Sequence, residues 1–493
     1  MRFIVNGKQI QAECGEKLSA YLHIDAPCGG KGKCGKCKVV AKGALSPISD
    51  AERGFLTEQE IAQGVRMACM AQLLGDVEVF TRSQESLQIA TGGDSAVRVG
   101  NSTVKKYGLA VDIGTTTVVV GLYSATGVLL GKTGALNPQT AWGADVISRI
   151  ESSLSGQGKA LQTAILSTIE RLAEGLCEEY GVALAEVDSA VFTGNTTMLY
   201  LLTNTPVDGL ARMPFALDRP FGETVLVKDL GLKGFAPDME IYLPPCISPF
   251  IGADTTCALL SSLMLEKGGT AFLADVGTNG EMALLFDGKL YACSTAAGPA
   301  FEGAGLTFGM RGEVGAIDHV RVENEKLRFQ VIGNGVAKGI CGSGVVDLIA
   351  ALLQTEQLDE TGYMEGDISL ADGVTFTRKD VRAVQLAKGA IYAGICTLLK
   401  TVGIPVEQLD TFLLAGGFGG YLDLENAGKI RLLPSAVIPK TQVLGNAAYN
   451  GAAILLFDKD SRARCEKLVT NITVVDLSKN PTFLEEYTDG MTF

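Results

Sequence analysis

Histidine is nearly missing from this chain: His23 and His319 are the two in 493 residues. A His-rich metal centre is thereby excluded, as is any chemistry that needs several imidazoles. Tryptophan occurs once, at Trp142, which reads as a packing residue rather than a platform for a flat ligand. Basic residues are outnumbered, with 42 Lys and Arg against 55 Asp and Glu, for a net charge of −13. That balance argues against a nucleic-acid surface, which needs clustered cations to neutralise phosphates. No run of about 18 apolar residues occurs, so no membrane span is expected. The opening MRFIVNGKQI lacks the apolar stretch of a signal sequence and reads as a strand entering a turn. The expected location is the cytoplasm. With 47 % apolar and 20 % charged residues the chain can still bury a sizeable core. Its length suggests roughly two to four domains.

Cysteine, by contrast, is plentiful: twelve residues without a secretion signal, which points to a reducing compartment and a metal or redox role for some. Residues 1–82 hold the informative group. An Asn-Gly turn at Asn6 and Gly7 predicts a hairpin, and a short helix is expected near residues 17–23. In APCGGKGKCGKCKVV, Cys28, Cys34 and Cys37 stand at C-x5-C-x2-C spacing, with 31 residues between Cys37 and Cys69. Glycines at 29, 30, 32 and 35 let such a loop wrap an inorganic core with its N–H groups facing the sulfurs. Four thiolates so spaced suit a [2Fe–2S] cluster, one residue longer in the first gap than the plant pattern. Zinc also takes four thiolates, but its ligands usually come as two pairs, so the cluster is favoured. The region resembles the β-grasp ferredoxins. Residues 75–82 should form its last strand, and residues 83–106 read as a linker.

Residues 107–470 read as a core built from a repeat. In KYGLAVDIGTTTVVVGLY, Asp112 closes a strand, Gly114 turns the chain, and Thr115, Thr116 and Thr117 come next. N–H groups and hydroxyls there make an anion cradle, and the carboxylate suits a hydrated Mg²⁺. A polar hairpin turn would look the same. The repeat changes the weight: TAFLADVGTNGEMALLFDGKLYACST places Asp275, Gly277, Thr278 and Asn279 in the same pattern, 163 residues on (275 − 112). Two facing hairpins can grip the phosphates of ATP from both sides. A third element, TFLLAGGFGG, offers Gly416, Gly417 and Gly419 for the flat adenosine. Glu281 is a candidate for positioning the attacking water, although strand alternation could point it elsewhere. Asn195 and Thr196 read as a helix cap more than a phosphate contact. The glycine-rich GPAFEGAGLTFGMRG is a loop that either lines the site or merely connects. Cys246, Cys257, Cys293, Cys341 and Cys396 read as small buried hydrophobes, and residues 471–493 as a tail.

Hairpin, hairpin and adenosine loop, in that order, resemble the ASKHA superfamily of acetate and sugar kinases, heat-shock ATPases and actin. Together with the ferredoxin-like start and stretches such as ALNPQTAWGADVISRI, FTGNTTMLYLLT, LPPCISPFIGADT and GICGSGVVDLIAALL, the chain looks like the ATP-dependent reductive activators of corrinoid proteins. That resemblance implies an α/β chain: a β-grasp ferredoxin-like domain, then a two-lobed actin-like core. It implies an ATP-hydrolysing iron–sulfur enzyme that returns Co(II) corrinoid to Co(I) in a partner protein of a methyltransferase or O-demethylase system. It implies a low-potential electron donor such as a ferredoxin or flavodoxin, and a dimer through the core. Some members carry an extra small domain after the ferredoxin, or C-terminal cysteine-rich modules; neither is found here. A small-molecule kinase with a regulatory cluster is the alternative, but no catalytic base for a metabolite stands out. A radical-dehydratase activator would carry its cluster on core cysteines, and a scaffold would hydrolyse no ATP.

Overall fold

The computed structural model describes residues 2–22, 24, 30–33, 35–81 and 97–493. His23, Cys28, Cys34 and most of the expected linker lie outside the described residues.

The N-terminal hairpin forms where its turn residues place it. Strands β1 (Phe3–Val5) and β2 (Lys8–Ile10) join at Asn6 and Gly7, with φ of 49° and 82°. With β3 (Lys38–Leu45), β4 (Val65–Met67) and β5 (Leu73–Phe80) they make a sheet of order β2-β1-β5-β3-β4, in which β1 and β5 run parallel. Alternation along β5 turns Leu73, Val77 and Val79 inward, onto a core with Phe3, Val39 and Met67. The helix expected near residues 17–23 is a single 3-10 turn, Leu18–Ala20. The N–H groups of Leu18 and Ser19 bond across to the carbonyls of Ala71 and Ala68, so the segment is held to its neighbour. In the same sheet domain Arg66 makes a two-pronged ion pair with Glu52, at 2.8 and 2.9 Å, and both side chains are buried.

The segment 97–106 is pinned to the first lobe of the core. Val104 is buried, and the N–H groups of Lys105 and Lys106 bond to the carboxylate of Asp188. That lobe opens with an antiparallel meander, β6 (Tyr107–Ile113), β7 (Thr117–Ser124) and β8 (Leu129–Leu136). Helix α1 (Gly158–Glu179) buries Leu161, Ile165, Ile169, Leu172 and Leu176, one face of a helical repeat, against β7 and β8. Strands β9 (Val187–Gly194), β10 (Glu223–Leu226) and β11 (Glu240–Leu243) complete the order β10-β11-β9-β6-β7-β8. Helix α2 (Ala253–Ser262) leads out.

The second lobe repeats the plan. Its meander is β12 (Ala271–Val276), β13 (Gly280–Phe286) and β14 (Lys289–Thr295), which turns at Asp287 and Gly288. An insertion carries β15 (Ala316–Glu323), β16 (Lys326–Val331) and β17 (Gly339–Ile340), then helix α3 (Gly342–Gln354). A small hairpin, β18 (Ile368–Ala371) and β19 (Val374–Phe376), precedes helix α4 (Arg378–Val402). Strands β20 (Thr411–Ala415) and β21 (Thr441–Gly445) then lie parallel beside β12. The runs β8-β7-β6-β9-β11 and β14-β13-β12-β20-β21 have the same order and the same directions.

Residues 471–493 belong to this lobe. Strand β22 (Ile472–Val474) extends the sheet beside β14, and a last helix, Pro481–Asp489, lies along α4 with Glu486 paired to Lys400. The polar look of that segment reflects its edge position, where one side faces water.

Helix α5 (Ala447–Phe457) comes after β21 of the second lobe, yet its Tyr449, Ala452, Ala453 and Leu456 pack on Ala110, Val119, Tyr123 and Val191 of the first. Helix α2 does the reverse. It leaves the first lobe and seats Ala258 and Leu259 on Leu273, Ala283 and Leu413 of the second. The two helices touch along their length, close enough that a Cβ on Gly451 would stand 2.1 Å from the carbonyl oxygen of Cys257.

Candidate functional site

The repeat brings its two Asp-x-Gly-Thr turns to one cavity of about 400 Å³ between the lobes. The cavity is lined by Asp112, Gly114, Thr115, Thr116 and Thr117 of the first turn, and by Asp275, Gly277, Thr278 and Asn279 of the second. Each turn closes on itself: Gly114 N–H donates to Thr117 at 2.9 Å, and Gly277 N–H to Asn279 at 3.0 Å. Gly416 and Gly417 also face the cavity. A side chain at Gly416 would strike the carbonyl of Val276, so glycine permits the close crossing there. Gly419 is buried against Leu414 and does not line the cavity, unlike its neighbours.

Register settles the direction of Glu281. It pairs with Asp275 across the antiparallel β12–β13 ladder, so the two carboxylates share a face, and that face lines the cavity. The residue opposite Asp112 in the first meander is Val119, so the repeat is unequal in its acids. A fourth carboxylate, Asp254, comes from the first turn of α2 and takes the N–H of Thr255 at 2.7 Å.

Burial dominates the chemistry of these acids. It pushes Asp112 up to about 6, opposed by a 2.8 Å hydrogen bond from Asn446. It pushes Asp275 up to about 7, with added repulsion from Asp254 and Asp112. Asp254 rises to about 7 through burial and the charge of Asp112, and Glu281 is held well above the carboxylate range by burial, Asp254 and Asp275. A cation beside these acids would favour their ionised forms. Among the described residues no three acidic, cysteine or histidine side chains converge tightly enough to hold a metal by themselves.

Positive charge lies behind the first turn. Arg149 is fully buried, donates to the carbonyl oxygens of Thr115 and Gly143, and so places a guanidinium under the hydroxyl row. Burial pulls its pKa down, while Asp145 and Glu302 oppose that pull. Glu302 itself accepts a hydroxyl from each turn on the same oxygen, Thr116 at 2.6 Å and Thr278 at 2.7 Å. Its neighbour Phe301 stacks on Phe418 of the glycine loop, with centroids 5.1 Å apart. Asn195 does two jobs: its oxygen caps the following helix at Met198 N–H, and its amide donates to Thr115 at 2.9 Å. His319 lines the same cavity, its Nδ1 2.9 Å from Asp347, whose other oxygen takes Asn426.

Sequence reasoning missed Asp254, Arg149, Asn446, His319 and Glu302. Asp254 and Arg149 carry no signal in the string that sets them apart from other helix charges. Of the expected small buried cysteines, Cys246, Cys257, Cys293 and Cys341 are buried, whereas Cys396 is half-buried and Cys341 also borders the cavity.

In the N-terminal sheet Cys37 and Cys69 are both buried with sulfurs 3.2 Å apart. A disulfide would bring them to about 2.05 Å, so these are two thiols side by side. The loop before them bends through Gly30, Gly32 and Gly35 at φ of 73°, 68° and 67°. A facing sulfur pair beside a glycine loop fits a thiolate-bound iron–sulfur cluster.

Known proteins match this arrangement along the whole chain. The 2Fe-2S iron–sulfur cluster binding domain matches residues 3–74, the RACo middle region residues 107–267, and the C-terminal ASKHA domain of RACo residues 269–493. Corrinoid activation enzyme RamQ of Eubacterium limosum is 35 % identical over 83 % of this chain and 74 % of its own length. The [Co(II) methylated amine-specific corrinoid protein] reductase of Methanosarcina barkeri is 27 % identical over 72 % of this chain and 70 % of its own. A solved reductive activator for a corrinoid, iron–sulfur protein superposes with a TM-score of 0.72 at 27 % identity, covering 100 % of this chain and 98 % of that one. A ferredoxin-type sheet with paired thiols, joined to a duplicated ASKHA cleft, places this chain in the family of RACo and the corrinoid activation enzymes.

Proposed function

We propose that this protein couples ATP hydrolysis to the reduction of Co(II) corrinoid in a partner protein, adding one electron to give Co(I). The observation that carries this reading is the pairing, in one chain, of adjacent buried thiols with a two-lobed cleft of duplicated Asp-x-Gly-Thr turns. The corrinoid-specific names of the relatives supply the substrate class. Cys28, Cys34, Cys37 and Cys69 would hold a [2Fe–2S] cluster, which supplies one-electron transfer when bound.

The residues of the core do the rest. Thr115, Thr116, Thr117 and Thr278 offer hydroxyls and N–H groups to the phosphates, with the Arg149 charge behind them. Asp112 and Asp275 would take Mg²⁺, directly or through water, and the cation would restore the ionised state that burial opposes. Glu281, opposite Asp275, orients the water that attacks the terminal phosphate. Gly416 and Gly417 line the cleft and would offer bare backbone to a flat adenosine.

ATP is needed because the electron goes uphill. Clusters of this type sit near about −400 mV, and each ~59 mV of gap costs tenfold in a one-electron equilibrium. Nucleotide can shift that balance only if one lobe arrangement binds the Co(II) partner better than the other. The electron donor belongs to the low-potential ferredoxin or flavodoxin class, and a homodimer through the core is the expected assembly. No helix among the described residues is long and apolar enough to cross a membrane.

The test uses the reconstituted protein, a low-potential reductant and a Co(II) corrinoid protein of a methyltransferase system. Co(I) absorbance should grow with ATP and stay low without it, and the partner should stimulate ATP hydrolysis. Absence of Co(I) with every such partner overturns the reading.

A further inference from the structure

We propose that Glu302 is the residue through which bound nucleotide reaches the ferredoxin module, by giving up its place between the two phosphate turns. The proposal rests on the ATP-binding reading of the cleft. One oxygen of Glu302 takes hydroxyls from Thr116 and Thr278, one from each lobe. These hydroxyls belong to the anion cradle, with the buried Arg149 guanidinium behind the first of them. A carboxylate is an anion with the same appetite for O–H donors as a phosphoryl oxygen. The two cannot share those donors, and at such range their charges repel. Phosphate in the cradle therefore requires that Glu302 leave it.

Where Glu302 goes is constrained by its surroundings. It ends the 3-10 turn Pro299–Glu302, whose Phe301 is buried and stacked on Phe418 of the adenosine loop. Helix α3 closes in from behind, since a Cβ on Gly342 would stand 2.0 Å from the carbonyl oxygen of Phe301. On its other side Glu302 borders a second cavity, of about 580 Å³. Lys33 and Lys36 of the cysteine loop form one wall of that cavity, and Gly303 to Thr307 of the glycine-rich loop form another. The same side chain thus lines the nucleotide cleft and the seam between core and cysteine loop. A Glu302 carboxylate released from the threonines moves toward the side of Lys33 and Lys36, and the charge it carries alters how those two residues are held. Glu302 is a positioning residue in this scheme and performs no chemistry on phosphate.

The experiment measures ADP and ATP affinity, without and with Mg²⁺, by calorimetry on the full-length protein and its E302Q variant. Glutamine keeps size and removes the competing charge, so E302Q should bind nucleotide roughly tenfold tighter, with or without the metal. In parallel, nucleotide should change the electron-paramagnetic-resonance spectrum of the reduced wild-type protein and leave that of E302Q unchanged. Equal or weaker binding by E302Q overturns the proposal, as does a spectral response that survives the substitution. Weaker binding confined to Mg²⁺–nucleotide would make Glu302 a metal ligand instead. If the wild type binds no nucleotide at all, it is the ATP reading that fails. A second variant, E302A, checks that the gain comes from loss of charge and not from the new amide.

Discussion

Replacing Asp275 with asparagine should make the protein more stable at and above neutral pH while abolishing ATP turnover. Asp275 stands inside the cleft beside Asp254 and Glu281, and its carboxyl rises from an ordinary 3.8 to about 7, through burial first and then the charges of Asp254 and Asp112. Each pH unit between those values is worth about 1.4 kcal/mol. Ionising this carboxyl inside the fold therefore costs about 4 kcal/mol once the pH passes 7. The unfolded chain gives up the proton near 3.8, whereas the folded chain keeps it up to about 7. Across that window the folded state binds the extra proton, so stability falls as pH rises. Asparagine never ionises and escapes the penalty. The gain from Asp275→Asn should be close to zero near pH 4, grow through the window, and reach up to about 4 kcal/mol near pH 8. At roughly 2–4 °C per kcal/mol for a lobe-sized unit, that is a shift of up to roughly 8–16 °C in the unfolding midpoint. Thermal unfolding tracked by circular dichroism from about pH 5 to about pH 8 measures it. Mg²⁺ with nucleotide should shrink the difference, because the cation offsets the charge in the wild type alone. A variant less stable than wild type at pH 8, or a difference that ignores pH, refutes the electrostatic account of the cleft.

Other parts of the fold lead to three further outcomes. Cys69→Ser should remove the visible iron–sulfur absorbance while leaving nucleotide affinity within twofold of wild type; an unchanged spectrum would take Cys69 out of the ligand set. Glu52→Ala strands the buried Arg66 charge and should cost the N-terminal sheet about 3–5 kcal/mol, read as a lower urea midpoint for loss of that absorbance. Gly451→Ala forces apart two helices at a backbone contact and should cost about 1–3 kcal/mol, with slower ATP turnover in a steady-state assay.

Local chemistry is legible in the chain, and long-range chemistry is not. The Asn6–Gly7 turn and the two Asp-x-Gly-Thr hairpins each arise from residues a few positions apart, and each forms as read. Repetition then announces a two-lobed cleft, because one hairpin could be accident and two could not. Glu281 needs register: alternation alone leaves its direction open, and the pairing with Asp275 fixes it. Glu302 is invisible for a different reason. Its loop shows no periodicity, and one of its partners lies 186 residues away in the other lobe. Arg149 and Asp254 look like ordinary helix charges, because nothing in a linear string says that a helix face will be sealed beneath a turn. Gly419 illustrates the opposite error. A run of glycines reads as one surface for a ligand, but the chain bends within it and Gly419 faces Leu414.

The exchanged helices α2 and α5 set the kind of motion that the cleft can make. Each is rooted in one lobe and seated on the other, so drawing the lobes straight apart would tear both helices from their beds. Turning about the packed pair disturbs far less, since the helices stay in contact along their length, with Gly451 set against the Cys257 carbonyl. The pair is an axle, and the lobes are levers upon it. Asn446, the cap at the start of α5, holds Asp112 at 2.8 Å, so one end of the axle reaches the first phosphate turn. Small changes at the phosphates are then magnified with distance from the pivot, and the largest sweep falls on the rims of the lobes, where a partner protein would be gripped or let go.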